Sequence, residues 1–111
     1  MQGVRAETES DGLMRYYIAG PMTGIKDSNY PAFNAAAARL RAICCEVENP
    51  AENEACESWL AYMRQALRQM LTCDVVVLLP GWERSRGANV EQIVARLIGL
   101  RVVHFGDMVT T

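Results

Sequence analysis

The sequence predicts a single α/β domain, a three-layer αβα sandwich of the flavodoxin-like type. Three observations predict this fold class. Four short apolar runs alternate with three segments of helical periodicity, which indicates a parallel sheet of four to five strands. The third run, residues 75–79, is continuously apolar, as is typical of a strand buried on both faces. The length of 111 residues allows one core but no second domain.

The predicted strands and their order follow from these apolar runs. Right-handed crossovers between parallel strands favour the order 2-1-3-4, with the third strand at the centre of the sheet. Residues 1–13 mix small and acidic residues without a period, so we expect a flexible leader before a domain that spans residues 14–111. The predicted strands are Arg15–Ala19, Cys45–Glu48, Asp74–Leu79 and Arg101–Phe105.

Three helices are predicted between the strands. The first begins near Asn29–Pro31, and the second runs from Ser58 to Leu71. The third begins after Ser85 and ends at Gly99, which is expected to supply a left-handed cap. The apolar residues expected to face inward are Phe33, Ala36, Ala37 and Leu40 in the first helix, Trp59, Leu60, Met63, Leu67, Met70 and Leu71 in the second, and Val90, Ile93, Val94, Leu97 and Ile98 in the third.

Composition and charge exclude several classes of protein. The net charge is −2 and the basic residues are scattered, so we expect no polymeric nucleic acid as a partner. No apolar run approaches the roughly 20 residues of a membrane span, and the acidic N-terminus is unlike a signal peptide, which predicts a cytoplasmic protein without a membrane partner. The four cysteines have no C-x-x-C spacing, so we expect reduced thiols and no metal site.

Two loops are predicted to form a ligand site. In open parallel sheets, ligands bind beyond the carboxyl ends of the strands where the strand order reverses, which here is between the first and third strands. Residues 20–24 follow the first of these strands, and residues 80–87 follow the other. A binding site is therefore expected where these two loops meet.

The second loop ends at a helix N-terminus that has the chemistry of an anion site. Unpaired backbone N–H groups, the Ser85 hydroxyl and the guanidinium of Arg84 or Arg86 are suited to a phosphate, and Gly87 would allow close approach. The alternative is that Ser85 is only a helix cap and Gly87 only part of a turn. The residues alone do not decide between these two interpretations.

Four further side chains are candidates for the site, each with a structural alternative. Glu91 lies about one and a half turns into the third helix, where its carboxylate can project over the loop as a nucleophile or base, or simply be solvated. Tyr16 and Tyr17 lie on opposite sheet faces, and one phenol should turn toward the cleft. Trp82 either stacks on a base or covers the sheet edge. Asp74 is expected to make structural hydrogen bonds at the opposite edge.

At these residues the sequence resembles the nucleoside 2-deoxyribosyltransferase superfamily, and most closely its small phage- and prophage-associated branch. The resemblance covers nearly all of residues 16–103. It is most specific in the segment Tyr-Ile-Ala-Gly-Pro-Met-Thr-Gly at 17–24, in Asn-Tyr-Pro-Ala-Phe-Asn at 29–34, and in Cys-Asp at 73–74 leading through Leu-Pro-Gly-Trp at 79–82 to Ser85-x-Gly87-x-x-x-Glu91. Deoxynucleoside 5′-monophosphate N-glycosidases in this superfamily have a similar Ser-x-Gly-x-x-x-Glu spacing.

The resemblance implies an activity and roles for individual residues. It implies an N-glycosidase or deoxyribosyltransferase for nucleosides or their 5′-monophosphates, without a cofactor. Glu91 would be the nucleophile and Tyr17 would orient the nucleophile or the sugar. Ser85 would hold the 5′ end of the substrate, and Gly20, Pro21, Met22 and Gly24 would form the floor beneath base and ribose. The other substrate-binding residues would be Trp82, Arg86 and Gly87. The resemblance also implies a homodimer or higher homo-oligomer, with the Met and Trp side chains of helix two against the partner.

One departure from the family pattern keeps other functions open. An acidic residue usually lies in the helix before the central strand, as an Asp-Leu pair, and here that pair is Ala66-Leu67. General acid–base assistance contributes about 10²–10⁴-fold, so an active enzyme would need another acid, such as Glu83 or one from a neighbouring subunit. The alternatives are a non-catalytic nucleotide-binding module and a phage-derived structural or interaction protein, for which a pocket closed by Trp82 would be the diagnostic feature.

Overall fold

The fold is known from a computed structural model, which describes residues 14–43 and 46–108. The predicted leader at residues 1–13 and the start of the second strand at Cys45 lie outside the described residues. Four strands form one parallel sheet in the order β2-β1-β3-β4, which confirms the predicted α/β fold and strand order. The strands are β1 Arg15–Ala19, β2 Glu46–Glu48, β3 Val75–Leu78 and β4 Arg101–His104.

The helices cover both faces of the sheet and give the predicted three layers. The helices are α1 Tyr30–Ala42, α2 Trp59–Met70, α3 Arg86–Leu97 and the single-turn α4 Phe105–Met108. Helix α1 packs on one face, against Ile18, Val75 and Val77. Helices α2 and α3 pack on the other face, against Tyr17, Ala19 and Val76. The alternation of side chains along β1 therefore places Tyr17 beneath α2 and α3.

Side-chain caps fix where the two helices over Tyr17 begin. The Ser58 hydroxyl accepts a hydrogen bond from the backbone N–H of Ala61 at 3.1 Å, and the Ser85 hydroxyl accepts one from Ala88 at 3.1 Å. Such caps satisfy N–H groups that have no partner within the helix. Gly99 follows α3 with φ +86°, as predicted for a left-handed cap.

The predicted inward face is correct for α1 but partly wrong for α2 and α3. All four residues expected to be buried in α1 are buried. In α2 and α3, Met63 and Met70 are buried as expected, but the buried set is completed by Ala66, Ala88, Glu91 and Ala95. These helices approach the sheet closely through alanine, so the stripe that faces it is narrow. Five residues predicted to face inward are therefore exposed: Leu60, Leu71, Ile93, Leu97 and Ile98.

Polar contacts tie the opposite edge of the sheet together. The carboxylate of Asp74 accepts a hydrogen bond from the backbone N–H of Arg15 at 2.9 Å. The Arg15 guanidinium forms ion pairs with Glu46 at 2.7 Å and with Glu48 at 2.6 Å. The structural role predicted for Asp74 is confirmed. This edge of the sheet is therefore stabilised by charge pairs.

Candidate functional site

A cleft of about 940 Å³ opens at the carboxyl edge of the sheet. Its walls come from three parts of the chain: the loop after β1, the segment that leads into α2, and the first turns of α3. This volume is within the usual range of small-molecule sites, about 300–1,000 Å³. The cleft lies at the position predicted from the reversal of strand order.

Glu91 is the most unusual residue of the cleft wall. Its side chain projects from the second turn of α3 and is only 4% exposed, although the residue lines the cleft. The carboxylate Oε2 accepts a hydrogen bond from the Tyr17 hydroxyl at 2.7 Å. Burial raises the pKa of Glu91 to about 7, and the hydrogen bond from Tyr17 opposes that rise. A carboxyl group with a pKa near neutrality is suited to proton transfer or nucleophilic attack.

Tyr17 contacts Glu91 rather than the open cleft. The phenol is fully buried under α2 and α3, and does not line the cleft. Burial and the Glu91 charge hold the pKa of Tyr17 well above its usual value, so the hydroxyl stays protonated and donates. Of the two contacts that the resemblance left open for Tyr17, the structure shows the one with Glu91. The bond occupies Oε2 and leaves Oε1 for a ligand.

Replacing Tyr17 by Phe tests this electrostatic arrangement. Tyr17→Phe removes the hydrogen bond that favours the charged carboxylate, so we expect the pKa of Glu91 to rise further above 7. Carbon-13 NMR titration of the Glu91 carboxyl measures the change directly. Tyr16→Phe, the same substitution on the opposite face of the sheet, should leave the titration unchanged. A Glu91 pKa that stays constant or falls in Tyr17→Phe would contradict this account.

The loop after β1 forms the floor of the cleft, as predicted. Gly20, Pro21, Met22 and Gly24 all line it. A Cβ atom at residue 20 would lie 2.9 Å from Leu79 Cβ, so only glycine allows the loop to pass so close to the end of β3. The Asn29 side chain donates a hydrogen bond to the Pro21 carbonyl at 2.9 Å and makes no cap on α1. Asn29 therefore supports the floor of the cleft.

The N-terminus of α3 forms a second wall. Ser85, Arg86 and Gly87 line the cleft, and Ser85 also caps the helix, so the cap and the site position coexist. A Cβ atom at residue 87 would lie 3.1 Å from Met63 Sδ. The lack of a side chain at Gly87 therefore lets the start of α3 pack closely against α2. The Arg86 guanidinium stacks on the Trp59 ring, 3.9 Å from its centroid. This contact joins the starts of α3 and α2.

Trp82 does not line the cleft, contrary to its predicted place among the substrate-binding residues. It forms part of a smaller hollow on the other side of its loop, where its ring lies 6.1 Å from that of His104. Trp82 also packs against the core that contains Tyr17, which agrees with the alternative in which it covers the edge of the sheet instead of stacking on a base. Glu83 belongs to the same hollow, so it is not placed to replace a missing acid. Within the short helix Trp82–Arg84, Arg84 lines the cleft, whereas Trp82 and Glu83 line the smaller hollow.

Several cleft residues come from the start of α2 and the segment before it, and none of them was predicted from the sequence as a site residue. Two aromatic residues, Trp59 and Tyr62, and three other polar residues, Glu54, Cys56 and Glu57, line this side. The predicted topology could have indicated these residues. Because β2 is parallel to β1, the chain that leaves the carboxyl end of β2 must enter α2 at the same edge of the sheet as the other two loops. By contrast, Tyr30 lies in the Asn-Tyr-Pro-Ala-Phe-Asn segment of the resemblance, where the sequence already indicated a residue that could line the pocket; it lines the cleft and is 40% exposed.

Residue 66, where the resemblance implies an acid, lies below the cleft. Ala66 is fully buried in the core beside Tyr17. A carboxylate at this depth would be one helical turn from Tyr62 and close to the Tyr17–Glu91 pair. The chain therefore has a single buried carboxyl group, Glu91, in the described part of this region. No group of three metal-ligating side chains occurs within residues 14–43 and 46–108.

No helix in the described part of the chain is long and apolar enough to span a membrane.

Comparison with known proteins places the chain in a family. A search of the curated proteins finds no match. Residues 14–104 match the model of a family described as a domain of unknown function, DUF4406. The match contains every strand of the sheet and all three walls of the cleft, and the chain therefore belongs to the DUF4406 family.

Proposed function

We propose that the protein is an N-glycosidase or deoxyribosyltransferase that acts on 2′-deoxynucleosides or their 5′-monophosphates, with Glu91 as nucleophile. The observation that carries the proposal is the buried Glu91 carboxyl group, aligned by Tyr17 at the wall of a cleft large enough for a nucleotide. The resemblance to the nucleoside 2-deoxyribosyltransferase superfamily supports the same roles for these two residues.

The proposed reaction has two steps. Glu91 Oε1 attacks the anomeric carbon, and the electron pair of the broken C–N bond leaves with the base. A water molecule, or a second base, then attacks the same carbon and displaces the carboxylate. In hydrolysis one proton of the water ends on the departed base and the hydroxyl group on the sugar. Tyr17 keeps Oε2 hydrogen-bonded throughout, so the carboxylate does not rotate away from the cleft.

The polar wall at α3 is suited to the 5′ end of the substrate. Backbone N–H groups at this helix terminus, together with Arg84 and Arg86, favour an anion. Glu91 lies in the same helix, about one and a half turns further on, so an anion at the terminus would hold the sugar near the carboxylate. We therefore favour 5′-monophosphates over free nucleosides as substrates.

The experiment is detection of free base by chromatography. Purified protein is incubated with 2′-deoxynucleosides and their 5′-monophosphates, with and without a second base as acceptor. We expect base release that is absent in Glu91→Ala. Release without an acceptor indicates a hydrolase, and release that requires one indicates a transferase. If no base is released under either condition, the enzymatic proposal is wrong.

A second candidate is a nucleotide-binding module without catalysis. Ala66 favours it, because the acid expected from the resemblance is missing and Glu83 lies outside the cleft. In that case 5′-monophosphates would bind to the wild-type protein without release of base. The third candidate, an interaction protein with a closed pocket, is less consistent with an open cleft that Trp82 does not cover.

We also propose that the protein acts in the cytoplasm as a homodimer or larger homo-oligomer, as the resemblance implies. The methionines of α2 are in the core, so the apolar surface available for a partner is instead the outer side of α2 and α3, where Leu60, Ile93 and Leu97 are exposed. Leu97 is 80% exposed. Light scattering should give a mass above 12.3 kDa for the wild type and a lower mass for Leu97→Glu. A monomeric wild-type protein would contradict this.

A further inference from the structure

Tyr62 has a hydroxyl group with only a weak partner at the cleft. It projects from the first turns of α2, lines the cleft, and packs partly against the core that contains Tyr17. Its hydroxyl contacts Met22 Sδ at 3.4 Å. A thioether sulfur is a poor acceptor, whereas a phenol is a good donor. A ligand atom with an oxygen or nitrogen lone pair is therefore a better partner for this hydroxyl than the one it has.

Tyr62 and Glu91 line the same cleft. Burial is the main cause that raises the pKa of Tyr62, and the negative charge of Glu91 is the next. The phenol consequently stays protonated at every pH at which the protein would work. One helical turn further along α2, residue 66 is a fully buried alanine, so no carboxyl group from this helix competes for the position.

The other phenols near the cleft are less suited to this role. The Tyr17 hydroxyl already donates to Glu91, and its ring is fully buried. Tyr30 is 40% exposed at the start of α1. Tyr62 alone among these three combines a partly buried ring, a weakly satisfied hydroxyl and a place on the wall of the cleft that Glu91 also lines. It also bridges α2 and the floor of the cleft through Met22.

We propose that the Tyr62 hydroxyl donates a hydrogen bond to the base as it leaves. This inference rests on the proposed glycosidic reaction. As Glu91 Oε1 forms its bond to the anomeric carbon, the C–N bond breaks and its electron pair moves onto the base. The Tyr62 O–H rotates from Met22 Sδ to this base and stabilises the developing negative charge without transferring its proton. The base takes its proton from solvent after the bond has broken.

Assistance of this kind depends on how much charge the base develops. A basic, poor leaving group carries more negative charge in the transition state and gains more from a donor than an acidic base does. Tyr62→Phe removes the hydroxyl and keeps the ring. We expect kcat to fall about 10²-fold for the poorest leaving group, the scale seen when one preorganised donor is removed, with little change in KM. The loss should shrink steadily across a series of 2′-deoxynucleoside 5′-monophosphates with increasingly acidic bases.

The controls separate this role from a structural one. Tyr16→Phe makes the same change on the other side of the sheet and should keep the wild-type dependence on the leaving group. A loss that is equal for all bases, or a kcat unchanged in Tyr62→Phe, would overturn the assignment of Tyr62 while leaving the glycosidase proposal in place. Failure of the wild-type protein to release any base would instead overturn the proposed function, and this inference with it.

Discussion

Glu91→Gln will lower kcat for base release by on the order of 10³-fold or more, while 5′-monophosphates still bind. The amide keeps the shape of the side chain and can still accept the hydrogen bond from Tyr17, but it cannot attack the anomeric carbon. In the proposed function, binding depends on the loop after β1 and on the start of α3, which line the cleft and which the substitution does not touch. Base release measures the rate, and isothermal titration calorimetry measures binding.

Glu83→Gln is the matched control for this loss of activity. It makes the same chemical change at a carboxyl group in the hollow behind the cleft, so the wild-type rate should be retained. A Glu91→Gln protein that keeps more than about a tenth of the wild-type kcat would show that Glu91 is not the nucleophile. A Glu83→Gln protein that loses activity would show that the acid comes from the loop after β3.

The same Glu91→Gln substitution is expected to stabilise the folded protein at pH 8. The pKa of Glu91 is about 7 in the folded state, against about 4.3 for an ordinary glutamate in the unfolded chain. The folded state therefore binds more protons than the unfolded state between these values, and stability falls as the pH rises through this window. The difference corresponds to about 4 kcal/mol at pH 8, which the neutral amide avoids.

Chemical denaturation at several pH values measures this effect. The gain in the free energy of unfolding for Glu91→Gln over wild type should be largest at pH 8 and should fall to about 1 kcal/mol at pH 5. It should nearly vanish at about pH 3.5, below the pKa of an ordinary glutamate, where Glu91 is protonated in both the folded and the unfolded protein. Glu83→Gln, whose side chain is exposed, should show no such pH-dependent gain. A Glu91→Gln protein that is less stable than wild type at pH 8 would mean that the buried carboxylate is stabilised by its surroundings.

The sequence predicted the sheet well because strand order depends on few constraints. Alternating elements, short connections and right-handed crossovers leave little choice once residues 75–79 are placed at the centre. The outer faces of α2 and α3 were harder to predict, since leucine and isoleucine at helical spacing look the same whether they face a sheet or a partner. Leu60 and Leu97 are exposed because Ala66 and Ala95 occupy the contact with the sheet.

The candidate site was predictable where position along a strand or helix decides geometry. The carboxyl edge collects the loops after β1 and β3, and Glu91 follows the start of α3 by a fixed rotation. Two features depended on details that a sequence pattern does not contain. The short helix at 82–84 places Trp82 in the smaller hollow rather than in the cleft. The packing of Tyr17 under α2 and α3 brings its hydroxyl to Glu91 rather than to the open cleft.

The most direct test of the central claim is a search for the covalent intermediate on Glu91. The protein is mixed with a 2′-deoxynucleoside 5′-monophosphate that it cleaves, quenched in acid during turnover, digested, and analysed by mass spectrometry. The account predicts a peptide that carries the mass of the sugar phosphate on Glu91 and that is absent from Glu91→Gln. Base release without any adduct on Glu91, or with an adduct on a different residue, would contradict it.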